Sequence, residues 1–305
     1  MSLLLARLLC FVLALFAGPV RGFRGTLCFP LFRIGVDMPT LLLSRTCQPE
    51  ANVLVGVAKA SRWHHQWLGR RSVPSQLHGK DFGLYAETDV ALRVASRHQL
   101  ALIEPSFDLL THLPTEFTRR EIRQMTLGHA LRLRDRFFIK PADCTNKAFD
   151  AAVWDAGKYI LCADDLSRET PVLVSEPVYW DVEYRVFVLE RRIVTFSPYI
   201  RGGWLARDEN DRWPYPATEA REMSAFCERL LADDSIALPP VFTLDVGIIE
   251  DRGWAVVEFN PVWCAGLLGC DLSAMLPVFH RACWRRDELS QADGNWVVDR
   301  AANTG

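Results

Sequence analysis

Asp245-Val246-Gly247, followed after a turn by Val257-Glu258-Phe259-Asn260-Pro261, is the stretch that decides how this chain is read. Residues two apart on a strand share a face, so Glu258 and Asn260 point the same way and Asp245 can meet them from a neighbouring strand. Two carboxylates and an amide oxygen suit Mg2+, a hard cation that takes oxygen ligands and keeps places for phosphate. The plainer alternative is a hairpin with solvated acids on its outer face. It is weakened by Ala255-Val256-Val257 before Glu258 and Phe259 after it, because a carboxylate among buried apolar neighbours needs a partner or a proton.

Working outward, Phe242 to Ile249 and Trp254 to Phe259 read as strands joined through Glu250-Asp251-Arg252-Gly253, and Val182 to Leu189 and Ile193 to Pro198 as a second hairpin. Phe137 to Lys140 and Val172 to Ser175 add further strands, and helices are expected at Ala217 to Ala232 and Leu272 to Arg285. The Pro- and Trp-rich piece from Trp204 to Pro216 reads as a long loop and candidate lid. Earlier in the chain the pattern alternates. Leu41 to Leu43, Phe82 to Ala86 and Leu100 to Ile103 are strand-like runs; Pro49 opens a helix reaching about Arg62, and Thr88 or Asp89 caps one through Ser96. The expected class is α/β (α+β): a small parallel α/β domain over 38–112, then 113–287 with mostly antiparallel sheets, and a tail over 288–305. The junction falls at Leu113-Pro114-Thr115-Glu116, which carries a turn residue and helix-capping candidates.

The 305 residues carry 35 basic and 37 acidic side chains in alternation, for a net charge of -2, so the chain lacks the basic field that nucleic-acid binding needs. Neither a nucleic-acid nor a membrane partner is expected. Nine cysteines, without a C-x-x-C pair, read as buried thiols in a reducing compartment, and the expected location is the cytoplasm. Leu8 to Ala17 is unbroken apolar sequence, too short for the roughly 30 Å of a bilayer. It is either a signal-peptide core, which would mean export, or part of an extension over 1–37 preceding a true start at Met38.

Lys140 ends the apolar run Phe137-Phe138-Ile139, so its ammonium emerges from a buried strand at a loop. A phosphate and plain solvent are both natural partners there. Lys147 follows in a segment without the glycines of a P-loop, and neither a Walker motif nor a dinucleotide fingerprint is present. In Ser175-Glu176-Pro177-Val178-Tyr179-Trp180, the proline removes a backbone donor and the connector leaves main-chain groups free to bond an adenine. Glu183 and Arg185 share a strand face, as site residues or as a simple ion pair.

A strand lysine, a hinge with Glu, Glu-x-Arg, a later Arg, Asp-x-Gly and Glu-x-Asn-Pro, in that order, resemble the ATP-grasp superfamily. Phe138-Ile139-Lys140-Pro141-Ala142-Asp143, Val174 to Arg185, Ser197-Pro198-Tyr199-Ile200-Arg201 and Asp245 to Asp271 carry the likeness to a carboxylate-amine ligase-like branch over about 38–287. The resemblance implies a pre-ATP-grasp domain over 38–112 and an ATP-grasp domain over 113–287, with ATP and Mg2+ as cofactors. Lys140 would contact phosphates, Glu176 to Val178 form the adenine hinge, with Val178 acting through its backbone, and Glu183 approach the ribose or the metal's surroundings. Arg185 and Arg201 would face phosphate, with Arg201 stabilising the transferring group, and Asp245, Glu258 and Asn260 would hold Mg2+. Asp143 to Phe149 stands where most members have a glycine-rich loop, which leaves phosphate cover to Lys147 or to backbone amides. The implied activity is an ADP-releasing ligase that joins small-molecule or peptide carboxylates to amines through an acyl phosphate. A phosphotransferase or a non-catalytic nucleotide-binding module is the alternative.

Overall fold

The computed structural model describes residues 38–298 except 46, 48, 70–72, 146–147 and 156–165. The apolar run at Leu8 to Ala17, the remainder of 1–37, and Lys147 lie outside the described residues. Leu41, Leu42 and Leu43 occupy the middle of β1 (Thr40–Ser44), buried on both faces as a continuous apolar run requires. Helix α1 (Glu50–Ala60) leads to β2 (His64–Leu68), and β3 (Phe82–Tyr85) follows; both strands pair with β1 in parallel, in the order β2-β1-β3. Strand β2, with two histidines and a glutamine, gives little apolar signal because it is a partly exposed edge. Helix α2 (Thr88–His98) packs Val90, Ala91, Val94 and Ala95 inward, at helical spacing. The next strand, β4 (Leu100–Leu102), is buried but does not join the parallel sheet.

After the short α3 (Thr115–Thr118) come β5 (Ile122–Thr126), α4 (Leu127–Ala130), β6 (Phe137–Pro141), β7 (Ala152–Trp154) and β8 (Pro171–Ser175). These four strands form an antiparallel sheet ordered β5-β8-β6-β7. Residues 176–179 then cross to a second antiparallel sheet. It contains β9 (Trp180–Leu189), β10 (Arg192–Arg201), β11 (Trp204–Leu205) and, after α5 (Ala217–Ala232), β12 (Val241–Ile249) and β13 (Gly253–Asn260), ordered β11-β10-β9-β12-β13. Val182, Tyr184, Val186, Leu244 and Val246 turn one face of this sheet to Met223, Phe226, Cys227 and Leu230 of α5. The opposite face is free to carry polar groups.

The helix expected over Leu272 to Arg285 is broken. Only α6 (Leu276–Arg281) is helical beyond a single 3-10 turn, and Cys283 to Arg285 forms β14, paired antiparallel with β4, before α7 (Gln291–Gly294). Three backbone pairings with Leu102, Ala101 and Leu100 override the helical pattern there. Phe279, Val278 and Cys283 share one buried cluster with Leu41, Leu84 and Val94, so the end of the chain completes the core of its beginning. Among the described residues Cys47, Cys144, Cys227, Cys264, Cys270 and Cys283 are free thiols, and no helix is long and apolar enough to cross a membrane.

Candidate functional site

On the face of the five-stranded sheet turned away from α5, register sets three charged residues in a row. Arg185 of β9 lies beside Asp245 of β12, and Asp245 beside Glu258 of β13. Arg185 donates Nε to Asp245 Oδ1 at 2.9 Å and Nη2 to Oδ2 at 2.6 Å, and its Nη1 donates to the Gly266 carbonyl at 3.0 Å. Asp245 has 0 % exposure, so this fork is the means by which its charge is kept inside the protein. Burial pushes its pKa up, against the pull of the guanidinium.

Lys140, at the end of β6 in the other antiparallel sheet, reaches across and donates Nζ to Glu258 Oε2. Asn260 Nδ2 donates to Glu258 Oε1 at 2.9 Å and stands 3.4 Å from Asp245 Oδ2. Burial would raise the Glu258 pKa, but the Lys140 ammonium and the Asn260 amide hold it down at about 2. A glutamate whose folded pKa lies below its ordinary 4.5 contributes stability that is complete above pH 4.5 and is lost as the pH falls through about 2. Thermal unfolding followed down this range should therefore fall less steeply for Glu258→Gln than for the unaltered chain; equal slopes would count against the pairing.

Glu183 lies one step along β9 on the same face. Burial raises its pKa, while Tyr199 Oη, donating to Glu183 Oε2 at 2.6 Å, lowers it. The Tyr199 ring also lies under the Arg185 guanidinium, 5.3 Å from its centroid. Arg201 is not brought to this group. It donates to both oxygens of Glu219 on α5, at 3.0 and 2.7 Å, and Glu219 also accepts from Tyr184, on the apolar face of the sheet. Glu176 turns outward and pairs with Arg252 at 2.9 and 2.8 Å, which leaves the main chain of 176–179 as the hinge between the two sheets. Among the described residues the backbone of Val178 has no hydrogen-bond partner.

The glycine of Asp-x-Gly has a steric cause. A Cβ on Gly247 would stand 2.6 Å from the Val182 carbonyl oxygen and 2.7 Å from the Trp180 ring, which lies flat against this strand. Gly247→Ala is expected to lower stability by about 1–3 kcal/mol, read by thermal unfolding, because backbone and indole cannot both withdraw. The loop over 206–216 is anchored in a similar way, with Trp213 packed on Gly269, where a Cβ would collide with the ring.

The donor set fits a magnesium ion. Two carboxylates and an amide are hard oxygen donors, and Glu258 and Asn260 are joined directly by a hydrogen bond on one strand face. Among the described residues no trio of His, Cys, Asp and Glu converges, so a metal seat here has to include the Asn260 amide, presenting its oxygen in place of its N–H.

A family model for the ATP-grasp domain, the second family of its clade, matches residues 117–278. Among solved structures, D-cycloserine synthetase DcsG is 13% identical, with 81% of this chain and 98% of that one covered and a TM-score of 0.50. An ATP-grasp RimK domain protein of Sphaerobacter thermophilus is 15% identical over 79% and 99%, with a TM-score of 0.48. A D-alanine-D-alanine ligase of Helicobacter pylori is 13% identical over 81% and 98%, with a TM-score of 0.46. At these identities the likeness is one of fold. No curated protein matches the sequence.

Proposed function

This chain belongs to the ATP-grasp domain family whose model spans its residues 117–278, and on that premise we propose that it is an ATP-dependent ligase joining a carboxylate to an amine. The observation that carries the reading is the contact of Lys140 with Glu258, made between two sheets. It brings a cation to the acids of Asp-x-Gly and Glu-x-Asn-Pro, beside a cleft that both residues line.

Lys140 would hold phosphate oxygens, the main chain of Glu176 to Val178 the adenine, and Glu183 the ribose. Asp245, Glu258 and Asn260 would hold Mg2+, which when bound neutralises charge on the phosphates. Arg185 keeps Asp245 ionised and oriented, and adds positive charge beside the transferring phosphoryl group. Arg201 has a different part in this proposal, clamping β10 to α5 through Glu219. In the reaction, an oxygen of the donor carboxylate bonds to the γ-phosphorus as the bond to ADP breaks. The amine then attacks the acyl carbon, loses a proton and expels phosphate. No side-chain nucleophile is required, so the contribution of the chain is to position reactants and compensate charge.

Purified protein supplied with Mg2+, ATP and pools of carboxylic acids and amines should release ADP and phosphate only when both pools are present. Formation of AMP, or of a phosphorylated hydroxyl compound, would overturn the ligase assignment.

A further inference from the structure

We infer that Arg120 is a positioning residue for the acidic end of this site, seating a bulge in β13 that turns Glu258 and Asn260 onto the face carrying Asp245. The inference rests on the reading of Asp245, Glu258 and Asn260 as a magnesium and nucleotide seat. Arg120 touches none of these side chains and acts through the backbone of β13.

Strand β13 is an edge of the five-stranded sheet, so its outward carbonyls have no neighbouring strand. The two arginines that follow α3 cover them. Arg119 donates Nε to the Trp254 carbonyl at 2.9 Å; Arg120 donates Nη1 to that of Val256 at 2.7 Å and Nη2 to that of Val257 at 3.1 Å. In a regular strand successive carbonyls point to opposite edges, so one guanidinium cannot take two in a row. Here it does because the ladder slips: Val246 pairs with Val256 but Asp245 pairs with Glu258, leaving Val257 as the extra residue.

The consequence for the site follows by counting. In an unbroken ladder Asp245 would oppose Val257, and Glu258 would oppose Leu244, whose side chain is buried against α5. Asn260 would then oppose Phe242 on the same apolar face. The bulge therefore decides whether Glu-x-Asn faces Asp245 and Lys140 or the core. Arg120 is built in to hold it: only 8 % exposed, it lies over the Trp180 ring at 4.9 Å and donates a further bond to the Thr118 carbonyl at 3.1 Å. Trp180 in turn rests on Gly247, so the glycine of Asp-x-Gly and Arg120 belong to one stack. A lysine carries the charge but not the planar fork that spans two carbonyls.

The test uses the full chain with Arg120→Lys, Arg120→Ala and Glu258→Gln, with calorimetric titration of ATP at graded Mg2+ concentrations and thermal unfolding of each protein. Arg120→Lys should remain folded and bind Mg-ATP about 10- to 100-fold more weakly, with a smaller change for ATP without metal. In Arg120→Ala, guanidinium at sub-denaturing concentration should restore part of the Mg2+-dependent gain; it should do nothing for Glu258→Gln. If Arg120→Ala does not fold, Arg120→Lys decides alone. Unchanged Mg2+ dependence in Arg120→Lys, or an equal loss with and without metal, overturns the positioning role. Absence of Mg2+-dependent ATP binding by the unaltered chain overturns the site reading itself, a result distinguishable from the others because it precedes any substitution.

Discussion

Glu258→Gln is expected to remove magnesium-dependent ATP turnover while leaving a folded protein. Glutamine has the shape of glutamate and can still accept from Asn260 and Lys140, so the network in which Glu258 sits need not collapse. What disappears is the negative charge. Lys140 is 14% exposed at its side chain and loses its counter-ion, at a cost of about 1–3 kcal/mol. The seat for the cation loses one of its two carboxylates, and turnover should fall by a factor of about 100 to 1,000, the loss typical when one preorganised electrostatic group is removed. Single-turnover ADP release, with circular dichroism to verify the fold, measures both. Turnover within a few fold of the unaltered chain would remove Glu258 from the chemistry and sink the Lys140 to Glu258 contact as the carrier of the proposed function.

Much of the fold is legible in the residues because its signals are local. Apolar runs at Leu41 to Leu43 and Val172 to Ser175, and alternation along Val182 to Leu189, mark strands whose burial the structure confirms. Strands such as β2 and β7 carry few buried side chains and so leave little periodic signal. The loss of the helix beyond Arg281 has a non-local cause, since β14 is a strand because β4, far away in sequence, offers it a partner.

The site shows the same division more sharply. Lys140, Arg185, Asp245, Glu258 and Asn260 stand in motifs, and the structure joins all five in one hydrogen-bonded group. Arg201 shares strand parity with Ser197, which opposes Arg185, so regular alternation sends it to the same face. The register of β10 slips between Pro198 and Ile200, Tyr199 becomes the extra residue, and Arg201 emerges on the side of α5. One bulge thus removes Arg201 from the group, and another, at Val257, keeps Glu258 in it. A change of one residue in register is invisible to composition and periodicity, yet it reverses the face of everything beyond it. Tyr199 and Arg120 escape a motif reading for this reason, although Pro198 in a strand interior is a signal of irregularity.

The Arg185 and Asp245 pair separates what the site needs for folding from what it needs for chemistry. Asp245→Leu leaves a guanidinium inside the protein without its carboxylate, and Arg185→Leu leaves a fully buried carboxylate without its fork. Each single change is expected to cost about 3–5 kcal/mol of stability, because an uncompensated charge remains in the interior. The double change removes both charges at once. It should regain most of that loss, since a buried ion pair is worth little more than well-packed apolar groups of similar volume. Recovery will stop short of complete, because Arg185 also holds the Gly266 carbonyl and Asn260 lies near Asp245. Denaturant unfolding of the four proteins gives the coupling energy, and additive losses would show that the two charges do not depend on each other. Mg-ATP binding should be lost in all three variants, including the restabilised one. A double variant that folds well and still binds Mg-ATP with full affinity would reduce Asp245 to a structural acid and leave Glu258 and Asn260 to hold the metal without it.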